Sequence, residues 1–276
     1  MSIAYFTGCT ALITGVTAGI GEEFARQLAP YAQTLVLVAR RTERLQALER
    51  ELLRDNAQLT VHSRTVDLAD EAQVDALAQW VRDNGLSVNL LINNAGLGDH
   101  GDFGSAEWGR LKKIIDVNIT ALTKLTWLLL PVLHQARPAA IINVSSIAGL
   151  VPVPNTAVYA ASKAYVTSLS EALRAEMRGT GIRLTTVCPG PVDTEFGMTA
   201  ERPEKARHSP PPAALKIPAS QVAEEALLAA AGDHARVVPG LLNCLMMALV
   251  CALPMFVIRL LINRVARRAR EQEIAY

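Results

Sequence analysis

With 276 residues, half of them hydrophobic, the chain is long enough to bury a large core. Its 27 basic residues balance 26 acidic ones to a net charge of +1, which excludes a global electrostatic grip on nucleic acid. Four scattered cysteines (Cys9, Cys188, Cys244, Cys251) and five dispersed histidines offer neither a CxxC pair nor metal-ligand spacing, so no metal is expected and the thiols read as reduced, in a cytoplasmic compartment.

The N-terminal MSIAYFTGCTALITG lacks the charged start and cleavage site of a signal peptide. TALIT (10–14) reads as a first strand and runs straight into TGVTAGIG, where glycines allow a tight turn and a close approach of backbone to a pyrophosphate. A helix over Glu22–Leu28 follows, then a strand, TLVLVA (34–39), and a helix over Thr42–Asp55. In that helix Leu45, Leu48 and Leu52 recur at helical spacing while Glu43, Arg44, Glu49 and Arg50 face water. LTVHSRTV (59–66), a helix over Glu71–Asn84, VNLLI (88–92), AAIINV (139–144) and IRLTTV (182–187) continue the alternation. Strands apolar on both faces, separated by helices, predict a doubly wound parallel sheet. Residues 191–218 are polar and rich in proline (Pro191, Pro203, Pro210, Pro211, Pro212, Pro218), which predicts a long loop.

The glycine turn is spaced GxxxGxG. With NNAG at 93–96, NVSS at 143–146 and YAASK at 159–163, it makes the chain resemble the classical short-chain dehydrogenases/reductases over residues 8–240. The resemblance implies an α/β, Rossmann-type sheet of about seven parallel strands with helices on both faces, in one catalytic domain of residues 1–240. It also implies an oxidoreductase that moves a hydride between a nicotinamide and a ketone, aldehyde or secondary alcohol. In YAASK, Tyr159 becomes the general acid/base, and Lys163, one helical turn on, lowers its pKa and holds the nicotinamide ribose. Ser146, thirteen residues before the tyrosine, matches the serine that hydrogen-bonds the substrate oxygen, and strand alternation points its neighbour Ser145 to the other face. Asn118 matches the asparagine that organises a water relay to the lysine.

The cofactor set implied by the same resemblance is spread along the chain. Thr14, Gly15, Thr17, Gly19, Ile20 and Gly21 form the turn, and Asp67 and Leu68 flank the adenine. Asn93, Asn94, Ala95 and Gly96 support the switch point, while Pro189, Gly190, Val192 and Thr194 seat the carboxamide, with Tyr159 and Lys163 completing the set. The second strand ends in Ala39, Arg40 and Arg41 where an NAD enzyme carries an acid, so NADP(H) is expected over NAD(H). Residues 191–218 become a substrate lid, whose Phe196, Met198 and Leu215, with Leu97, Leu150, Val151 and Val153, suggest an apolar pocket or simply core. Lipid-like carbonyls come first as substrates, with 3-oxoacyl groups on a carrier as an alternative. An enoyl reductase is disfavoured by the four-residue Tyr–Lys spacing. A non-catalytic NADPH-binding regulator or scaffold is a competing class, but such proteins lose part of the catalytic set that this chain keeps.

The extension of residues 241–276 accounts for the mean hydropathy of +0.22. GLLNCLMMALVCALPMFVIRLLI, from residue 240, is long enough to cross a bilayer, but Asn243, Pro254 and the basic RVARRAR that follows argue against a single span. Two readings stay open: peripheral contact of 241–270 with anionic lipid, and burial over the cleft or in a subunit interface. The resemblance adds an expected homodimer or tetramer.

Overall fold

β-branched strands with apolar residues on both faces require helices on both sides, and the computed structural model has that arrangement. It describes residues 2–202, 212–260 and 262–264. Seven parallel strands lie in the order β3-β2-β1-β4-β5-β6-β7. They are β1 Thr10–Thr14, β2 Thr34–Ala39, β3 Thr60–Thr65, β4 Leu90–Asn93, β5 Ala139–Val144, β6 Ile182–Val187 and β7 Arg236–Val237. The last is only two residues long, too short to leave a pattern in the sequence.

Side-chain alternation along each strand feeds two cores. Ala11 and Ile13 of β1, with Leu35 and Leu37 of β2, face α1 (Gly19–Leu28), α2 (Thr42–Asp55) and α8 (Ala219–Ala231). Leu12, Val36 and Val38 face α3 (Glu71–Asp83) and α5 (Leu122–Gln135) on the opposite side. Leu45, Leu48 and Leu52 are buried as their spacing predicts. α4 (Trp108–Ile115) leads into α5 through wider π-helical turns at Asp116–Ala121, and α6 (Ala157–Glu176) packs beside them.

From β1 the chain winds outward to β3, then returns to pair β4 on the other side of β1. The connections diverge at that pair, which opens a crevice at the carboxyl ends of β1 and β4. α1 begins at Gly19 rather than Glu22, because the glycine turn itself supplies the first helical turn.

The proline-rich stretch is not loop throughout, as the sequence suggested. Thr194 accepts a hydrogen bond from the amide of Phe196 and so caps a short helix, α7 (Glu195–Ala200). Val192 bridges Ile217, and a 3₁₀ turn occupies Ala213–Leu215. Pro203, Pro210 and Pro211 lie outside the described residues, as does most of the basic run 264–270. The apolar tail forms α9 (Leu241–Ala252), which meets a second helical stretch, Met255–Arg264, at 109°. Pro254, which supplies no amide hydrogen, stands at the break.

Candidate active site

At the end of β1, Gly15 and Gly19 adopt φ of +73° and +60°, the left-handed region that favours glycine. Gly21 is required for space instead: a Cβ there would lie 2.3 Å from the Gly15 carbonyl oxygen. Thr14 Oγ1 accepts from the amides of Asn94 and Ala95, both at 3.0 Å, and Asn94 Nδ2 donates to the carbonyls of Thr14 and Gly15. These bonds fasten the turn across the switch point. α1 starts with no side-chain cap, so its first N–H groups face the crevice without an internal acceptor. Asn93 points away, into the core, where its amide donates to Thr126 and Asn143. Asp67 turns its own loop by accepting from Ala69, and Leu68 packs on the core below it. The cradle of bare glycines and uncapped amides fits a dinucleotide pyrophosphate.

On α6 the four-residue spacing puts Tyr159 and Lys163 on one face, with Lys163 Nζ 5.9 Å from the phenol ring centroid. Lys163 Nζ donates to the Val144 carbonyl at 2.8 Å, and burial lowers the ammonium to about 8. The phenol is not lowered by Lys163 as the sequence suggested: burial pushes Tyr159 above its ordinary value, and the opposing pull comes from a hydrogen bond with Ser146. Ser146 stands just past β5, its Oγ accepting from Ala148, whereas Ser145 is buried against α6 and bonds Lys163 O and Thr167. Both serines thus meet α6, Ser145 at its backbone and Ser146 at the Tyr159 phenol, rather than dividing between opposite faces.

Asn118 lies in the π turns, which add a residue per turn and re-aim its side chain inward. Its amide clasps both backbone groups of Leu97 and donates to Ser162, which in turn donates to the Tyr159 carbonyl. Gly96 fits between it and the lysine: a Cβ would stand 3.2 Å from Lys163 Nζ and 3.4 Å from Asn118 Oδ1. The structure thus gathers Asn118, Ser146, Tyr159 and Lys163 beside the crevice. Cys188, just past β6, is buried beside Ser145 and Thr167, and Cys9 is buried at the opposite, amino end of β1; desolvation pushes their thiols up to about 11 and about 12.

Phe196 was read from the sequence as a lid residue, but three sets of contacts were not. First, Phe196 of α7 lies over the site, its ring 5.6 Å from that of Tyr159 and pressed against Gly98. Second, buried Asp99 binds Arg110 and Arg202, and Arg110 also holds the carbonyls of Thr199 and Ala200, so the far end of α7 is fixed. Third, Asn243 of α9 is buried against Gly190, with its Nδ2 donating to Leu215 O at 3.1 Å. Each pairs residues far apart in the chain, and no local pattern announces such a pair.

Arg40 is exposed at the end of β2. Arg41 folds back, its Nε and Nη2 donating to the hydroxyl and carbonyl of Thr17. Thr194 reaches the glycine turn from the opposite side, where a Cβ on Gly19 would meet its methyl group at 2.7 Å. Leu97, Leu150, Val151 and Val153 are half-buried near these elements, and Met198 is exposed.

The family model for short chain dehydrogenases matches residues 9–205. Sulfoacetaldehyde reductase of Chromohalobacter salexigens is 40% identical over 199 residues, covering 70% of this chain and 75% of that protein. A short-chain dehydrogenase from Burkholderia cenocepacia in complex with NADP superposes with a TM-score of 0.73 at 28% identity, over 98% of both chains, so the likeness runs on through the C-terminal helices. A second such enzyme, from Burkholderia phymatum in complex with NAD, gives a TM-score of 0.77 at 25% identity, over 88% of this chain and 93% of that one. Sheet order, site geometry and family match agree: this chain belongs to the short-chain dehydrogenases and is an oxidoreductase that works with a nicotinamide cofactor.

Proposed function

We propose that the chain is an NADPH-dependent reductase of ketones or aldehydes, with lipid-like carbonyls as the leading substrates. The observation that carries the reaction class is the convergence of Tyr159, Lys163, Ser146 and Asn118 at the crevice. A bound reduced nicotinamide supplies the hydride. Ser146 and Tyr159 hydrogen-bond the carbonyl oxygen, and the phenol gives its proton to that oxygen as negative charge develops. Lys163 holds positive charge behind the phenol and so stabilises the phenolate left after transfer. Asn118 fixes Leu97 and, through Ser162, the turn of α6 that carries the tyrosine. An intact set of four favours an enzyme over a nucleotide-binding regulator.

The cofactor preference is supported by the end of β2, where Ala39, Arg40 and Arg41 replace an acid with two guanidinium groups. In assays of NADPH and NADH oxidation with carbonyls graded by chain length, NADPH is expected to be the better donor. Arg40→Ala/Arg41→Ala should raise its KM by about tenfold or more, the scale of a lost charged hydrogen bond, with little change for NADH. Equal use of both nucleotides would dismiss the preference, and a carrier-bound 3-oxoacyl substrate as the best of the panel would favour the acyl alternative.

A surface role for the tail is supported by exposure of Leu241, Leu245, Leu249 and Phe256 at 78%, 60%, 68% and 64%. Arg259 and Arg264, followed in sequence by three further arginines to residue 270, complement anionic headgroups, so the occupant we propose for this face is the surface of an anionic bilayer. The full chain should co-sediment with phosphatidylserine vesicles and not with phosphatidylcholine ones, less so in high salt. Self-association abolished by Leu245→Glu, without vesicle binding, would assign the face to a second copy. A cytoplasmic location fits the free thiols. An oligomer through α5 and α6 fits the exposure of Trp127 and Tyr165.

A further inference from the structure

Glu195 has no part in the chemistry above, yet it occupies the arginine corner of the crevice. Arg41 Nη1 donates to its carboxylate at 2.7 Å, and Arg44 Nη1 donates to both oxygens at 2.7 and 2.8 Å. The other edge of the Arg41 guanidinium lies on the glycine turn at Thr17. An anion is thus already seated between two guanidinium groups at the end of β2. The two arginines hold the carboxyl below its usual range, so it is charged at neutral pH.

Phe196, the next residue, covers Tyr159. Glu195 and Phe196 both belong to the first turn of α7, so the anion in the arginine corner and the cover over the tyrosine are joined through one helical turn. The two ends of α7 are held very differently. Its carboxyl end is fixed by Arg110 and by the buried Asp99–Arg202 pair, with side chains only 6% and 10% exposed. Its amino end is held by ion pairs whose side chains are 39–50% exposed. Exposed pairs are weak and exchange easily. A phosphate brings more charge and three acceptor oxygens to the same donors, whereas a neutral ribose hydroxyl cannot compete with a carboxylate.

We propose that Glu195 is a built-in competitor for the cofactor's 2′-phosphate: NADPH displaces it from Arg41 and Arg44, and the freed end of α7 lifts Phe196 from Tyr159. NADH leaves the latch closed. The inference rests on the NADPH reading above and adds an order to it, because the tyrosine becomes open to substrate only after the phosphate-bearing cofactor has entered.

The test is calorimetric titration of the full chain with each nucleotide, joined to hydrogen exchange of the α7 amides, for wild type and Glu195→Gln. The variant should bind NADPH about three- to tenfold more tightly, the scale of two exposed ion pairs, and NADH unchanged. NADPH should raise exchange over 196–200 in the wild type to the level that Glu195→Gln shows alone, and NADH should not. Unchanged or weaker NADPH binding in Glu195→Gln, or equal exchange with the two nucleotides, overturns the latch. Failure of the cofactor reading looks different: the wild type would bind NADH better, and Arg41→Ala would leave NADPH affinity intact.

Discussion

Tyr159→Phe should cut turnover by about 10²–10⁴-fold, the usual yield of a positioned general acid, an effect far larger than any on NADPH affinity. The substitution removes one hydroxyl and keeps the ring that packs against Phe196. Burial holds the phenol protonated through neutral pH, which is the state that a reduction consumes. The rate of carbonyl reduction should therefore be level around neutrality and fall on the alkaline side, whereas alcohol oxidation, which needs the phenolate, should rise there. Steady-state rates in both directions, with calorimetric cofactor binding, check this. Equal turnover in the two proteins would remove Tyr159 from the chemistry.

Lys163→Met should abolish turnover to a similar degree and, unlike most substitutions in a core, stabilise the protein without cofactor. Burial lowers the lysine from 10.5 to about 8 on folding. Between those values the unfolded chain binds more protons than the folded one, so stability rises with pH across that window. Below about pH 8 the cost of the buried charge is fully present, about 3 kcal/mol for a shift of this size. Methionine removes that cost but leaves the Val144 carbonyl without its donor, a loss of about 1 kcal/mol. The net gain of about 2 kcal/mol at pH 7 should appear as a higher urea midpoint with an unchanged slope, and should fade near pH 10. A less stable Lys163→Met at pH 7 would show that the lysine is not held at a cost. The same arithmetic explains the lysine's function, since a desolvated cation is one that an anionic neighbour can use fully.

Most strands were legible because they are short, β-branched and apolar on both faces, and α2 because its leucines repeat at helical spacing; β3, with His62, Ser63 and Arg64, is more polar, and the two-residue β7 left no pattern. The site was legible where its parts lie within one element or one turn: Tyr159 and Lys163 on α6, the glycines after β1, the two serines after β5. What escaped was held by pairs distant in the chain. Nothing near Glu195 marks it as a partner for Arg41, and Asp99 gains its meaning only once Arg110 and Arg202 converge on it. The helix α7 was missed because its prolines dominate the composition around it. They flank the helix, however, and Thr194 supplies the cap that lets six residues form it.

Asn243 changes how the tail must be studied. It enters beneath Gly190 so closely that a Cβ there would sit 2.7 Å from its Nδ2, and its amide also holds the 3₁₀ turn at Leu215. Truncation after residue 240 is therefore not a neutral cut. It pulls a wedge from under the segment expected to seat the nicotinamide carboxamide, and an inactive truncation would report that collapse rather than any task of the extension. Substituting the outward leucines while leaving Asn243 in place separates the two. By the same logic a shortened chain would need another side chain to fill the space under Gly190.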